Sequence, residues 1–341
     1  MWSTIGEAGE FGLIARVTAQ FPGTGDVILG PGDDAAIVTA PDNRVVATMD
    51  LLVEDRHFRR AWSSPEDVGR KAVAQNFADI AAMGARPTAL LVGFAAPPDL
   101  PLSWADGLTE GLRAECARAG GAVVGGDTVA AETITVAITA LGDLGGRPPV
   151  RRDGARPGDL IAVTGPLGLS GAGYALLEAG VLGPDDARRL VGDSAGGADP
   201  GWAACLREHR RPGPPYAEGP RAVRLGARAM LDVSDGLVQD LGHIARASGV
   251  AVDLDSAALV PDPALVEAAA LLEQLGAARR APVEHMLFGG EDHALAAAFP
   301  PGTDLPPQWR RIGTAAAPGP EGAVVTVDGA PARAGGWDHF G

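Results

Sequence analysis

Two adjacent aspartates, Asp33 and Asp34, follow a Gly-Pro-Gly turn in the stretch LGPGDDAAIV. Two like charges at a tight turn repel each other, and only a cation or a proton removes that repulsion. The preceding glycines have no Cβ, so phosphate oxygens and backbone N–H groups can approach each other closely there. The pair is therefore a candidate for a metal site beside a phosphate.

More carboxylates stand at turns, at the ends of apolar stretches or on a candidate helix. They are Asp50, Asp79, Asp127, Asp232 and Asp235. A single aspartate in such a place is commonly only a turn former or a helix cap. The set as a whole favours a metal site instead, because oxygen-only clusters without His or Cys select hard cations. The foremost of these is Mg²⁺, which usually bridges to substrate phosphates. The set therefore predicts magnesium-assisted phosphate chemistry.

The familiar motifs of phosphate enzymes do not occur in the sequence. A P-loop needs a lysine after its last glycine, and the single lysine, Lys71, follows Arg70. The HRD and DFG motifs of protein kinases are absent as well. The stretch GPLGLSGAG, residues 165–173, could present backbone N–H groups to a phosphate or could be only a turn.

Composition narrows the class of protein. The 341 residues carry a net charge of −15, which disfavours nucleic acid and anionic membranes as partners. No apolar run approaches the ~18 residues of a membrane span, and the N-terminus lacks the pattern of a signal peptide. The two cysteines, Cys116 and Cys205, form no CxxC pair, so neither a disulfide framework nor a zinc site is indicated. We expect a cytoplasmic protein without a membrane segment.

The elements that must position these carboxylates alternate along the first half. Ser64, Pro65 and Asp67 predict the start of a helix over 65–83 that carries Asp79, and Gly84 predicts its end. A second helix is predicted over 102–121. Branched residues between turn signals predict strands at 26–30, 35–40, 43–54 and 87–97, and two more within 122–143.

A Gly-, Pro- and Arg-rich stretch, residues 145–159, predicts a domain boundary, with domains over 1–147 and 148–341. In the second half, strands are predicted at 159–165 and 227–233 and helices at 169–180 and 234–249. VAVDLDSAAL, EHMLFGGEDHALAAAF and GAVVTVDG predict further strands, and residues 192–220 predict a loop region. The fold class is therefore α/β (α+β) in two domains.

A series of stretches along the whole chain resembles the thiamine-monophosphate kinase family. In order they are GEFGLIARV, GPGDDAAIV, VVATMD with LLVEDRHF, NFADIAAMGARP, GGDT, RRDGARPGD, LDVSDGLVQDLGHIARASG, FGGEDHAL and WDHF. The family belongs to a superfamily with aminoimidazole ribonucleotide synthetase, selenophosphate synthetase and a hydrogenase maturation factor. GGDT or SDG alone would be weak signals; the ordered combination is specific.

The resemblance implies a reaction and an assembly. The family transfers the γ-phosphoryl group of ATP to thiamine monophosphate, the last step of thiamine diphosphate biosynthesis, by direct in-line transfer assisted by several Mg²⁺ ions. It also implies a homodimer in which the N-terminal mixed-sheet domains form a barrel-like interface. On this reading the N-terminal domain binds ATP and magnesium and dimerises, and the C-terminal domain is α/β.

The resemblance also implies roles for individual residues. The magnesium-binding positions are Asp33, Asp34, Thr48, Asp50, Asp79, Asp127, Asp232 and Asp235. Among these, the catalytic acids are Asp34, Asp127 and Asp235. The nucleotide-contacting positions are Gly125, Gly126, Arg152 and Ser234. The positions near the thiamine moiety are His57, Glu291 and Trp337. Met49, where the family commonly has Thr or Ser, and His293-Ala294, where it has Tyr-Glu, depart from the pattern.

Two alternatives stay open at this stage. One is a different reaction of the same superfamily, although the chain has no cysteine before Cys116 to match the reactive residue of selenophosphate synthetases. It also ends in WDHFG, without the terminal cysteine of the maturation factor. The other is a protein that binds magnesium and nucleotide without catalysis; the complete set of acids disfavours it.

Overall fold

The computed structural model describes residues 3–31, 35–183, 186, 200–277, 279–320, 322–332 and 335. The chain divides into two compact units, Met1–Pro148 and Pro149–Gly341. Each unit is a mixed α/β structure built on a mixed sheet, as the sequence predicts for the fold class. Among the described helices, none is long and apolar enough to span a bilayer.

The N-terminal unit contains a four-stranded sheet and a two-stranded sheet. Its strands are β1 (Val27–Leu29), β2 (Ile37–Val38), β3 (Val46–Val53), β4 (Arg86–Ala96), β5 (Ala122–Ala130) and β6 (Thr135–Asp143). The order of the larger sheet is β3-β6-β4-β5, and β1 pairs with β2. Among the described strands of this unit, only β4 and β5 pair in parallel, and such a pair needs a crossover connection. The predicted strands are confirmed, although β1 and β2 are shorter than expected.

Three helices complete the described part of this unit: α1 (Ile5–Thr18), α2 (Pro65–Ala82) and α3 (Leu102–Ala119), which forms the crossover between β4 and β5. Helix α2 begins as predicted, because Ser64 and Asp67 exchange hydrogen bonds in a capping box. Helices α2 and α3 pack closely at Gly69 of α2 and Gly111 of α3. A Cβ on Gly69 would lie 2.2 Å from Leu108 O, so only glycine permits this close approach.

The C-terminal unit is built on a seven-stranded sheet. Its strands are β7 (Leu160–Thr164), β8 (Ala229–Val233), β9 (Ala251–Leu254), β10 (Ala294–Phe299), β11 (Arg310–Ala316), β12 (Val325–Val327) and β13 (Ala330–Pro331). The order is β13-β12-β9-β11-β7-β10-β8. Both β7 and β8 run antiparallel to β10, with Thr164 opposite Leu295 and Val233 opposite Ala294. The carboxyl ends of β7 and β8 therefore meet the start of β10, and we call this place the β7/β8 edge.

The helices of this unit correct two sequence predictions. Those that the structure describes in full are α4 (Leu169–Glu178), α5 (Ala203–Arg210), α6 (Glu218–Arg224), α7 (Leu237–Ser248), α8 (Pro263–Gln274) and α9 (Pro282–Phe288), with a 3₁₀ turn at Ser256–Ala258. The loop predicted over 192–220 was wrong for α5 and the start of α6. Glycines and prolines on both sides obscured α5, whose Cys205, Leu206 and His209 are buried. The strand predicted for EHMLF was also wrong, because Pro282 begins a helix there and Glu284 accepts a hydrogen bond from Ala281 N.

Candidate active site

Strand β3 and helix α2 bring three of the predicted magnesium-binding residues together. The Thr48 hydroxyl donates to Asp79 Oδ2 at 2.8 Å, and Asp50 N donates to Asn76 Oδ1 at 2.9 Å. Thr48 and Asp50 share a strand face because they are two residues apart. Asn76 and Asp79 share a helix face because they are three residues apart. Asn76 is buried and also donates to Ala72 O at 2.9 Å, which fixes the orientation of its amide.

Asp127 lies on β5, at the opposite edge of the same sheet from β3. In the cross-strand register Asp50 pairs with Ile138, Ile138 with Val92, and Val92 with Gly126. Three strand spacings of ~4.8 Å separate β3 from β5, so their backbones lie about 14 Å apart. Within one sheet, Asp50 and Asp127 are thus too far apart to ligate the same ion directly.

An apolar pocket of about 80 Å³ lies beside Gly125, Gly126 and Asp127. Helices α1 and α3 and strands β4 and β5 form it, with apolar walls that include Leu13, Val17, Phe94, Leu108 and Leu112. A Cβ on Gly126 would lie 2.1 Å from Val92 O, so this position requires glycine. The pocket therefore combines an apolar wall with a backbone and carboxylate rim, as small-molecule sites commonly do.

His57 follows β3 in a turn where Asp55 has a left-handed φ of 63°. Its Nδ1 accepts a hydrogen bond from Val53 N at 3.0 Å, so in the neutral ring the proton is on Nε2. The buried Lys71 donates from Nζ to His57 O at 3.1 Å. The single lysine of the chain thus serves to anchor this turn.

At the β7/β8 edge, strand β8 leads directly into the loop of Ser234 and Asp235. The Nδ1 atom of His293 lies 3.1 Å from Oδ2 of the buried Asp232. Asp240 Oδ2 accepts hydrogen bonds from the backbone N–H groups of Ser234, Asp235 and Gly236. Burial, followed by the charges of Asp232 and Asp235, raises the pKa of Asp240 to about 7. Three acids are therefore crowded where one short loop enters helix α7.

The loop of residues 289–293 packs onto the end of β8. Glu291 N donates to Ser234 O at 2.7 Å, and His293 N donates to Val233 O at 2.8 Å. Glu291 and His293 have left-handed φ values of 61° and 52°, which non-glycine residues rarely adopt. Such backbone strain persists only where surrounding contacts enforce it and is frequent at functional sites.

Between these two strained residues lies the fully buried Asp292. It accepts hydrogen bonds from Gly168 N at 2.5 Å and Ser170 N at 2.9 Å, and burial raises its pKa to about 7. These N–H groups belong to the GPLGLSGAG stretch, for which phosphate binding was one of two interpretations. Because Asp292 takes two of its N–H groups, the structure favours the interpretation as a turn.

Glu291 also contacts a histidine from helix α5. His209 Nδ1 lies 3.4 Å from Glu291 Oε2 and 3.2 Å from the Ser170 hydroxyl, and both His209 and Ser170 are buried. A Ser-His-Glu triad would use both ring nitrogens, one for the acid and one for the hydroxyl. Here both partners approach the same nitrogen, so the arrangement orients Glu291 and does not activate Ser170.

Arg152 is exposed near the start of the C-terminal unit. Its carbonyl accepts a hydrogen bond from the Ser248 hydroxyl at the end of helix α7, whereas Ser234 lies just before the start of that helix. Burial, Arg246 and Arg152 together lower the pKa of His243, which lies midway along α7. The positive charge of Arg152 therefore contributes to the electrostatic potential at the middle of this helix.

Three of the predicted site residues, Asp33, Asp34 and Trp337, lie outside the described residues. Among all the residues that the structure describes, Asp235, Asp240 and His243 form one group whose ligand atoms lie within 4.8 Å of one another. Asn76, Asp240, Asp292 and His209 were not among the predicted site residues. The sequence could have indicated Asn76, Asp240 and Asp292, because each lies within five residues of a predicted acid. His209 has no such signal.

Comparisons with known proteins match two family models to successive parts of the chain. The family model for the AIR synthase related protein N-terminal domain matches residues 32–144, and that for the C-terminal domain matches residues 156–304. The thiamine-monophosphate kinase of Mycobacterium tuberculosis is 47% identical over 99% of this chain and 93% of its own length. That of Corynebacterium glutamicum is 38% identical over 99% and 95%. The structure of AaThiL complexed with AMPPCP and TMP has a TM-score of 0.75 and 32% identity, covering 98% of each chain.

Proposed function

Since this chain belongs to the thiamine-monophosphate kinase family, within the AIR synthase related proteins, we propose that it phosphorylates thiamine monophosphate with ATP. The γ-phosphoryl group moves to the phosphate of thiamine monophosphate, and the products are thiamine diphosphate and ADP. The observation that carries this proposal is the likeness, over almost the whole chain, to AaThiL, whose solved complex holds an ATP analogue and TMP.

Magnesium fits the donor atoms of the predicted site. The proposed ligands are carboxylate and hydroxyl oxygens, which Mg²⁺ prefers, and the set contains neither sulfur nor imidazole. These ligands are Asp33, Asp34, Thr48, Asp50, Asp79, Asp127, Asp232 and Asp235. When bound, Mg²⁺ neutralises phosphate charge and aligns donor and acceptor, which is most of what phosphoryl transfer asks of a protein. We assign Asp34, Asp127 and Asp235 to the places nearest the transferred group.

The nucleotide contacts that we propose involve both ends of ATP. The apolar pocket beside Gly125 and Gly126 suits the adenine base, because its walls are aliphatic and aromatic. Arg152 suits a phosphate, since its planar guanidinium can donate two parallel hydrogen bonds. Ser234 suits the phosphates near the metal, because it precedes Asp235 in the loop.

The acceptor needs little activation in this mechanism. A phosphate monoester has a second pKa of about 6, so thiamine monophosphate is largely dianionic at neutral pH and needs no strong base. Transfer is then direct and in line, without a phosphoenzyme. We propose that His57, Glu291 and Trp337 bind the thiamine part, where the Glu291 carboxylate and an aromatic face suit the cationic thiazolium ring.

A homodimer accounts for an apolar face of the N-terminal sheet. Met49, Leu51, Leu91 and Val129 are 57%, 48%, 39% and 63% exposed on strands β3, β4 and β5. Monomeric proteins rarely expose large contiguous apolar patches, and such patches commonly mark protein–protein interfaces. We propose that a second copy of this chain covers this face, in a barrel-like arrangement of the two sheets. The N-terminal unit then carries dimerisation together with ATP and magnesium binding.

The direct test is product formation from thiamine monophosphate, ATP and Mg²⁺, followed by chromatography with fluorescence detection after oxidation to thiochromes. We expect thiamine diphosphate in step with ADP. Omitting Mg²⁺ with excess chelator, or replacing thiamine monophosphate by thiamine, should leave no product. Nucleotide binding without thiamine diphosphate would contradict the proposal and favour another acceptor of the same superfamily.

A further inference from the structure

One oxygen of Asp240 accepts three successive backbone N–H groups. Asp240 Oδ2 lies 3.0 Å from Ser234 N, 3.0 Å from Asp235 N and 3.1 Å from Gly236 N. Asp240 is 4% exposed and lies in the first turn of α7. These N–H groups lie in the loop and at the cap position just before the helix, and a buried N–H group without an acceptor is costly, so the carboxylate satisfies three backbone donors.

Three converging N–H groups at the start of a twelve-residue helix form a concavity that is well suited to a phosphate. In this chain the Asp240 carboxylate occupies the concavity. Because three hydrogen bonds converge on one Asp240 oxygen, a nucleotide phosphate would have to replace all three at once to displace it. The loop therefore offers the side chains of Ser234 and Asp235 to a ligand, while its N–H groups are engaged.

The carbonyl side of the same loop is fixed as well. Val233 O accepts a hydrogen bond from His293 N, and Ser234 O accepts one from Glu291 N. A Cβ on Gly290 would lie 2.7 Å from Ser234 O, so the two loops are in close contact. With donors held by Asp240 and acceptors held by residues 291 and 293, the backbone before α7 has little freedom to rotate.

We propose that Asp240 is a positioning residue that directs the Asp235 carboxylate toward magnesium and the Ser234 hydroxyl toward nucleotide. The inference rests on the proposed function, which assigns those roles to Asp235 and Ser234. Asp240 acts through the loop and touches neither substrate. Replacing its carboxylate weakens the hydrogen bonds of all three N–H groups at once, so the first quantity to change is the affinity for Mg²⁺.

The test compares Asp240→Asn with Asp159→Asn in the full chain. Asp159 is also fully buried and accepts hydrogen bonds from Arg156 N and Arg228 Nη1, but it precedes β7 at the opposite end of the sheet. The measurements are kcat, the KM for thiamine monophosphate, the melting temperature, and the half-saturating Mg²⁺ concentration. The last is taken both in turnover and in binding of AMPPCP without thiamine monophosphate.

For Asp240→Asn we expect half-saturating Mg²⁺ to rise, and kcat to fall, by about 10- to 100-fold, as for residues that orient metal ligands. The KM for thiamine monophosphate should stay within about twofold, because uniform substrate binding is not removed. Asp159→Asn should lower the melting temperature without moving the Mg²⁺ requirement. An unchanged Mg²⁺ requirement in Asp240→Asn, or an equal change in Asp159→Asn, would overturn the proposal.

The AMPPCP measurement separates this inference from the proposed reaction. If the wild type makes no thiamine diphosphate, yet Asp240→Asn still weakens Mg²⁺-dependent AMPPCP binding, the reaction is wrong and the positioning role stands. If Asp240→Asn does not fold, hydrogen exchange on the wild type decides. We expect slow exchange at the N–H groups of residues 234–236 without any ligand. Fast exchange there that slows only with Mg²⁺ and nucleotide would mean that the phosphate uses those groups, against the proposal.

Discussion

Strand β3 of the N-terminal sheet and strand β10 of the C-terminal sheet bury their side chains differently. Along β3, the polar Thr48 and Asp50 on one face alternate with Met49 and Leu51, which are 57% and 48% exposed on the other. Strand β10 is buried at every position from Ala294 to Phe299. Candidate ligand atoms lie on the face of the first strand, whereas beside the second strand they lie at the end of the neighbouring strand β8 and in the loop that follows it.

Substitutions in the two units should therefore have different effects, because their candidate ligands lie in different kinds of structural element. In the N-terminal unit, a substitution at Thr48 or Asp50 of β3 changes a candidate ligand, whereas one at Met49 or Leu51 changes the exposed apolar face, because successive side chains point to opposite faces. In the C-terminal unit the candidate ligand Asp232 lies near the end of β8, and Asp235 lies just beyond it in a loop held by Asp240 and by residues 289–293. Substitutions there should change chemistry without changing assembly.

Asp235→Asn is the sharpest way to test the loop end, and it carries the largest expected effect. The substitution keeps the size of the side chain and removes the charge that we assign to magnesium beside the transferred group. We expect kcat to fall about a thousandfold, which corresponds to about 4 kcal/mol of transition-state stabilisation. Steady-state kinetics at saturating Mg²⁺ measures this.

The matched control for that experiment is Asp262→Asn, which removes the charge from an exposed helix cap of α8. It should leave kcat unchanged. Circular dichroism and gel filtration of both variants should match the wild type. Wild-type turnover by Asp235→Asn would end the assignment of this residue.

Leu51→Asp tests the apolar face of the N-terminal sheet. A carboxylate there would have to be desolvated in the proposed interface, so we expect the dimer to dissociate about a hundredfold more readily. Sedimentation velocity over a range of concentrations measures the change. Val266→Asp, at a residue of α8 that is 49% exposed, is the control and should not alter assembly. A wild type that sediments as a monomer at all concentrations would remove the basis for the dimer.

The sequence predicted the helix of α2 well because its start is coded locally, by Ser64, Pro65 and Asp67. It missed α5 because burial of Cys205 and His209 depends on tertiary contacts that flanking glycines and prolines do not reveal. Of the acids, Asp79 and Asp50 could be nominated by residue type. The hydrogen bonds from Thr48 to Asp79 and from Asp50 N to Asn76 could not, because they depend on how α2 packs on β3.

Asn76→Ala tests the candidate ligands on β3, because Asn76 is a hydrogen-bond partner of Asp50. The change leaves Asp50 N without the Asn76 acceptor, so the Asp50 backbone is held less firmly. We expect activity to fall and half-saturating Mg²⁺ to rise by about tenfold. Thr88→Val removes another buried polar contact, to Leu141 O, and should not change the Mg²⁺ requirement. Equal effects of both variants would show that only stability is being measured.

The smallest expected effect concerns the fully buried Asp292. Its folded-state pKa is raised from 3.8 to about 7, mainly by burial, so between those values the folded chain keeps a proton that the unfolded chain has lost. The unfolded state then binds fewer protons, and the free energy of unfolding falls as pH rises from about 4 to about 7 and levels off above.

Asp292→Asn cannot titrate and should lack this component of the pH dependence. From pH 5.5 to 6.5 we expect the wild type to lose about 1 kcal/mol relative to the variant, or about 2–4 °C in melting temperature. Scanning calorimetry of both proteins in matched buffers measures the difference, which cancels the contributions of titrating groups that both proteins share. Parallel pH profiles would mean that the folded protein holds Asp292 ionised, and that its two N–H donors outweigh the cost of burying the charge.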